Sequence, residues 1–267
     1  FFLQYSTSER YIIIIKKMEL NLRILKFIVF FLVHIFFVVI STNVVIAEMK
    51  TYSVFAKLPL LGEVEVQKIK TDFSSIDDKI KYSYHVSPTK IVDFFDDKIS
   101  SGFISGKLEN NNIVTEEYFF KTENEDFKRE IQFQYLNGMV EEVNIDPSYD
   151  LSKISIVSDV MIKESIDPVT MFYMITDFEY IKNCNKTIRV YDGKRRYDLI
   201  LSKPIENDLG YSCTLTHQKI AGYKVEKIKE NKLYVSDLKF IKNDNQLYEF
   251  SEVSLRNNNL DLIIRKN

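Results

Sequence analysis

The densest group of charged residues in the chain is the run Asp192-Gly193-Lys194-Arg195-Arg196-Tyr197-Asp198. Because a guanidinium group binds carboxylates and phosphates through two parallel hydrogen bonds, Arg195 and Arg196 are candidate anion-binding residues. The same run also fits a tight turn at Asp192-Gly193 followed by a paired strand, and this interpretation needs no ligand. The sequence contains no serine nucleophile elbow, phosphate-binding loop or zinc motif, so we predict no catalytic residue.

The chain has two cysteines, Cys184 and Cys213. In an oxidising compartment an isolated pair of thiols usually forms a disulfide, which here would close a loop of about 30 residues and stabilise the fold by ~3 kcal/mol. Two separate buried thiols are the alternative. The cysteines form no compact set of ligands with His85 and His217, so neither a metal site nor a cofactor is predicted.

Segment 18–47 has the layout of a secretory signal peptide. Arg23 and Lys26 form a positive region, the apolar run Phe27–Ile40 follows, and small residues end the segment at Ala47. The run has about 14 residues, whereas a membrane-spanning helix needs ~20. We therefore predict cleavage after Ala47 and a periplasmic location. The alternative is an uncleaved signal, which would be the chain's only attachment to a membrane.

The predicted signal divides the chain into parts of opposite charge. Residues 1–17 precede the first methionine, and we interpret them as a spurious upstream extension. Segment 48–267 is predicted to form one periplasmic domain, since about 220 residues fit a single domain. Segment 1–47 has five basic and two acidic residues, a net charge of +3, whereas the whole chain carries −2, so the domain carries −5. Such a charge favours neither nucleic acid nor charge-driven adhesion to anionic lipid.

The composition favours strands, because the chain has 20 Phe and 16 Tyr but only 7 Gly and 5 Pro. Apolar and polar residues alternate along much of the chain, and Asn137-Gly138 lies between two alternating runs, as in a hairpin. Lys186–Tyr191 and Arg195–Ser202 are predicted to pair around Asp192-Gly193, and Tyr223–Lys229 is predicted to be a strand. We therefore predict a mostly β, or α+β, fold: a strongly curved antiparallel sheet, like half of a barrel, with one main helix.

The segment Asp167–Tyr180 differs from the rest because its apolar residues recur at helical spacing. Asp167 suits a helix N-cap, and Pro168 suits the first helical position. The predicted apolar face consists of Met171, Met174, Ile175 and Phe178. We expect this face to pack on the sheet; the alternative is that it lines a groove for a ligand.

Three stretches of the second half together resemble a known family. They are Ile166-Asp167-Pro168-Val169-Thr170, Cys184 with the run Thr187–Leu199, and Tyr211-Ser212-Cys213 with Ile220-Ala221-Gly222-Tyr223. Their order is similar to the domain-of-unknown-function family 3108 in the form carried by alphaproteobacteria, and the resemblance covers most of residues 50–265. It implies an exported protein without an established reaction and a disulfide between Cys184 and Cys213, and it supplies no catalytic residue.

Three functions of different classes fit these observations. The first is a non-enzymatic periplasmic binding or envelope-maintenance protein that holds a lipid-like or other apolar ligand on the concave face of the sheet. The second is a structural module that docks onto another envelope protein. The third is a hydrolase that uses Arg195 and Arg196; the sequence supports it least, because no nucleophile or base accompanies them.

Overall fold

The computed structural model describes residues 46–58, 62–89, 98–109, 112–230, 233–256 and 261–267. Residues 1–17 and the predicted signal peptide lie outside the described residues, apart from Ile46 and Ala47. These two residues begin the first strand, where they are in register with Ser75 and Ser74 of the second.

Thirteen antiparallel strands in the described part of the chain form one sheet. They are β1 (Ile46–Leu58), β2 (Gly62–Ile76), β3 (Lys79–Pro88), β4 (Ile99–Glu109), β5 (Asn112–Glu123), β6 (Lys128–Leu136), β7 (Met139–Asp146), β8 (Lys186–Tyr191), β9 (Arg196–Asn207), β10 (Gly210–Ala221), β11 (Tyr234–Lys242), β12 (Tyr248–Arg256) and β13 (Asp261–Lys266). Their order is β7-β6-β5-β4-β3-β2-β1-β13-β12-β11-β10-β9-β8. The sheet is not closed, and the mostly β fold class predicted from the sequence is confirmed.

Hairpin chemistry and alternating burial explain how these strands form. Asn137 and Gly138 both have positive φ, +54° and +75°, as a two-residue hairpin turn requires. In β6, Ile131 and Phe133 are buried while Gln134 is exposed. This period of two turns one face of the strand toward the interior.

The connection between β7 and β8 contains three helices: α1 (Asp159–Lys163), α2 (Pro168–Thr176) and α3 (Phe178–Ile181). The predicted start of α2 is correct, since Asp167 is its N-cap and Pro168 its first residue. The predicted extent to Tyr180 is wrong, because α2 ends at Thr176. Asp177 adopts extended backbone and accepts a hydrogen bond from the Glu179 amide, so it starts α3 instead of continuing α2.

Helix α2 packs against both halves of the sheet. Val169 is buried in a cluster formed mainly by β3–β7, and Ile175 in a cluster formed mainly by β8–β13. Phe172 packs against both clusters, and its ring makes an edge contact with Tyr52 of β1 at 5.4 Å. The helix therefore fills part of the concavity, as expected for an apolar helix packed on a sheet.

The two ends of the open sheet approach each other through side chains. The ring of Phe133 on β6 stacks on that of Tyr191 on β8, with centroids 5.5 Å apart. Ile166 pairs with Val190 in a parallel bridge, so the connecting segment covers part of the β8 edge. Strands β6 and β8, which lie near opposite ends of the strand order, are therefore close together in space.

Cys184 and Cys213 lie at disulfide distance, with Cα atoms 5.7 Å apart, and both are buried. The bond joins the end of the helical connection to the concave face of β10. Cys184 also has positive φ, +39°, which a compact turn into β8 accounts for.

A fourth helix, α4 (Val225–Lys229), lies between β10 and β11. The prediction of a strand over Tyr223–Lys229 is therefore wrong. Gly222 has a φ of +80°, which ends β10 and turns the chain away from the sheet. In the part of the chain that the structure describes, no helix combines the length and the apolar character needed to cross a membrane.

Candidate functional site

A cavity of about 530 Å³ lies between α2 and the concave face of the β8–β13 half of the sheet. Its apolar lining consists of Met171, Phe172 and Ile175 from α2, and Leu199, Leu215, Val253, Leu255, Leu262 and Ile264 from the strands. The volume falls within the range of ~300–1,000 Å³ that is typical of small-molecule sites. Helix α2 therefore leaves part of the concavity on this side unfilled.

Polar residues line the cavity at one end of the strands. They are Asp192, Arg195, Lys219, Tyr223 and Tyr234, here called the cavity mouth. Asp192 and Arg195 belong to the β8–β9 turn, and the other three lie at or near the β10–β11 connection. The turn and the connection therefore bring charged groups to the edge of an apolar space.

The charges of the mouth are held in place by local bonds. Asp192 accepts hydrogen bonds from the Lys194 and Arg195 amides at 3.0 and 2.7 Å, and Nε of Arg195 donates to its Oδ2 at 2.8 Å. Nζ of Lys219 donates to the Tyr234 hydroxyl at 3.1 Å and lies 5.6 Å from the Tyr223 ring centre. Two cations and one carboxylate give the mouth a net charge of +1.

His217 lies just inside the mouth, and its ring is 4.9 Å from Tyr197 and 5.9 Å from Tyr234. Burial, together with the positive charges of Lys219 and Arg195, lowers the pKa of His217 to about 4. The imidazole is therefore neutral at pH 7. A neutral imidazole can donate or accept a hydrogen bond to a ligand without adding charge to the site.

The residues of the predicted apolar helix face do not all line the same cavity. Met171 and Ile175 line the same cavity as Arg195. Phe178 lies beyond the helix break, where it packs on Tyr211 and Phe240 and lines a second cavity. Met174 is half-buried.

The two candidate arginines do not act together. Arg195 is the last residue of the β8–β9 turn and lines the cavity, whereas Arg196 is the first residue of β9 and does not line it. Arg196 is 5% exposed and donates through Nη1 to Oδ1 of Asp198 and to the Tyr197 carbonyl, both at 2.6 Å. We therefore assign only Arg195 to the candidate site.

A buried polar network fixes α2 above the cavity. Asp167 is fully buried; its Oδ1 accepts hydrogen bonds from the Val169 and Thr170 amides, both at 2.8 Å. Its Oδ2 accepts from the Thr170 hydroxyl at 2.6 Å and from the Tyr135 hydroxyl at 3.0 Å. Burial raises the pKa of Asp167, although these hydrogen bonds oppose the rise. Thr170 also bonds to Thr115 on β5 at 2.9 Å, so the network ties the start of α2 to two strands.

Two smaller cavities surround α2. One of about 430 Å³ lies beside its C-terminal end and contains Glu48, Asp177 and Glu249. Another of about 180 Å³ lies against β2 and β3, and shares Met171 and Phe172 with the cavity of about 530 Å³. Helix α2 thus divides the concavity into compartments.

Sequence reasoning missed the residues that complete the mouth. The sequence marks Lys219 and Tyr234 only as parts of alternating strands, includes Tyr223 in the family resemblance without a role, and offers His217 only as a metal ligand. The available signal in the sequence is the basic residue Lys219 close to two aromatic residues, Tyr223 and Tyr234, at the β10–β11 connection. Among the described residues, no group of three His, Cys, Asp or Glu side chains is placed to hold a metal ion.

No family model matches the chain, and no curated protein matches it. Among solved structures, the chain is similar to a beta-barrel-like protein of the domain of unknown function DUF1849 from Brucella abortus. The identity is 7% and the TM-score 0.44, and the similarity covers 85% of this chain and 97% of that chain. A similarity at this level carries no information about what either protein binds.

Proposed function

We propose that this chain is an exported, non-enzymatic binding protein of the bacterial envelope. Its ligand is an amphipathic molecule with an apolar chain and an anionic head group. The observation that carries the proposal is the combination of an apolar cavity of about 530 Å³ with Arg195 and Lys219 at its mouth. Burial of an apolar chain contributes ~25 cal/mol per Å² of surface removed from water, and the cations favour a negative head group.

Ligand binding is tested with a dansyl-labelled fatty acid as the probe, compared with the matching fatty alcohol. We expect saturable fluorescence enhancement with the acid and weaker binding of the alcohol. Equal binding of both would contradict the anionic head group. No binding of either, together with organic extracts of gently purified protein that contain no lipid by mass spectrometry, would contradict the function as a whole.

Two pairs of variants locate the ligand. Arg195→Ala should weaken binding of the acid, whereas Arg189→Ala should not; both side chains are 52% exposed and both form an ion pair, but only Arg195 lines the cavity. Leu255→Trp should narrow the cavity and weaken binding of both probes. Ile241→Trp places the same ring on the outer face of the neighbouring strand and should have no effect.

Export of the chain is part of the same proposal. The signal-like segment and the pair of cysteines at disulfide distance both fit an oxidising compartment. Cell fractionation of the chain expressed from Met18, followed by N-terminal sequencing, should find a periplasmic protein that begins at Glu48. Such a protein keeps most of β1. Recovery from the cytoplasm with free thiols would contradict export.

Membership of the domain-of-unknown-function family 3108 is part of this proposal. It is supported by the run Thr187–Leu199, by Cys184 before this run and by Cys213 after it. A solved structure of a member in which the positions of Cys184 and Cys213 are far apart would contradict it.

A further inference from the structure

We propose that the face around the cavity mouth docks onto an anionic lipid bilayer, a proposal that rests on the binding function above. A protein that takes an amphipathic ligand from a membrane must bring its cavity entrance to the lipid surface. The surface concerned consists of segments 150–157, 192–195 and 219–230 with residues 233–235, here called the mouth face. Its composition differs from that of the rest of the domain in two ways.

Large apolar side chains are exposed on the mouth face. They are Leu151, Ile156, Val225, Leu233 and Val235, which are 58%, 90%, 46%, 50% and 47% exposed, respectively. Hydrogen bonds hold Ile156 in this position, because the neighbouring Ser155 amide donates to the Tyr223 carbonyl at 2.8 Å and the Gly222 amide donates to the Ser155 hydroxyl at 2.9 Å. Such side chains can insert into the head-group region of a bilayer.

Basic residues surround these apolar side chains. The mouth face has seven of them, Lys153, Lys194, Arg195, Lys219, Lys224, Lys227 and Lys229, against the four acidic residues Asp150, Asp192, Glu226 and Glu230, a net charge of +3. The whole chain carries −2. The mouth face is therefore positively charged although the chain as a whole carries a net negative charge.

Large apolar residues are also exposed at the opposite end of the sheet, but the charge around them differs. Leu209 and Leu247 are 84% and 63% exposed in the β9–β10 and β11–β12 hairpins. The charged residues between 203 and 209 and between 241 and 247 are Lys203, Glu206, Asp208, Lys242 and Asp244, with a net charge of −1. Charge complementarity therefore favours the mouth face, where each basic residue near the surface adds attraction to anionic lipid.

Co-sedimentation with lipid vesicles tests the proposal. The domain should bind vesicles of phosphatidylcholine mixed with phosphatidylglycerol, bind phosphatidylcholine alone much more weakly, and lose binding as salt is raised. Lys224→Glu and Ile156→Asp should each weaken binding to the mixed vesicles by on the order of tenfold. Lys203→Glu and Leu209→Asp are the matched controls at the opposite end and should bind like the wild type.

The outcomes separate this proposal from the binding function. All four variants should bind the dansyl-labelled fatty acid in solution as the wild type does. Binding of the fatty acid without binding to mixed vesicles would overturn the docking proposal and leave the binding function standing. Equal losses in the variants of the two ends would also overturn it. Failure to bind the fatty acid would count against the binding function, whatever the vesicles show.

Discussion

The hydroxyl of Tyr135 donates a hydrogen bond of 3.0 Å to the buried carboxylate of Asp167. This bond connects β6, near one edge of the open sheet, to the N-cap of α2. Because Asp167 also caps the helix and bonds to Thr170, one side chain determines where α2 enters the concavity. The position of α2 in turn determines the size of the candidate cavity, so the network supports the site without contacting it.

Removal of the Asp167 carboxylate should destabilise the domain strongly. Asp167→Ala loses a helix cap and leaves the Thr170 and Tyr135 hydroxyls without their acceptor, so we expect a loss of at least about 2 kcal/mol in the free energy of unfolding. Asp177→Ala removes the half-buried cap of α3 and should cost about 1 kcal/mol. Urea denaturation of both variants measures the difference. Equal losses would mean that the network does not hold α2.

The raised pKa of Asp167 predicts a specific dependence of stability on pH. Its pKa rises from 3.8 on folding, mainly through burial, so the folded state binds more protons than the unfolded state above about pH 4. The contribution of Asp167 to stability therefore falls as the pH rises from about 4 toward the folded pKa. Asp167→Asn has no such proton, so its stability relative to the wild type should increase with pH over this window. If the difference in the free energy of unfolding between the two proteins does not change with pH, burial does not raise the pKa of Asp167.

The lowered pKa of His217 should make stability depend on pH in the direction opposite to that of Asp167. Its pKa falls from 6.5 to about 4 on folding, mainly through burial, so the unfolded state binds more protons between these values. The wild-type protein should therefore lose stability as the pH falls from 6.5 toward 4. His217→Gln should show a smaller loss over the same range in thermal denaturation. If the two curves run parallel, the imidazole is not held neutral by the cavity.

The disulfide should contribute measurable stability. Its two cysteines are 29 residues apart in sequence, and a loop of this length corresponds to ~3 kcal/mol. The double variant Cys184→Ala/Cys213→Ala should lose about this amount, and a reducing agent should destabilise only the wild type. A wild-type protein whose urea midpoint is unchanged by reduction would contradict the prediction.

Two glycines with positive φ form a matched pair. A Cβ on Gly222 would lie 2.0 Å from the Lys194 carbonyl oxygen, whereas one on Gly62 would meet nothing within 4 Å. Both substitutions to alanine carry a conformational strain of ~1–2 kcal/mol, but Gly222→Ala must also displace the β8–β9 turn, so we expect a total of about 3 kcal/mol or more. Urea denaturation should show that Gly222→Ala is clearly less stable than Gly62→Ala. The reverse order would contradict the prediction, because it would mean that displacing the β8–β9 turn does not lower the free energy of unfolding.

Local chemistry allowed several elements to be predicted from the sequence. Asn137-Gly138 and Asp192-Gly193 marked hairpin turns because few residues tolerate the backbone that such turns need. Asp167 and Pro168 marked the start of α2 for a similar reason. The strand Lys186–Tyr191 has the predicted bounds. Tyr223–Lys229 was assigned wrongly, because a short segment of alternating residues carries no sign of whether a neighbouring strand will pair with it.

By itself, then, the sequence determined the β class of the fold, the start of its main helix and several of its turns, because each depends on residues that are neighbours in the chain. It also marked the two cysteines as a candidate pair. Only the tertiary structure decided that Arg195 faces a cavity while Arg196 does not, and that Met171, Ile175, His217 and Lys219 share one space. Those relationships depend on the curvature of the sheet and on how far α2 fills its concavity, which arise from contacts between residues far apart in the chain.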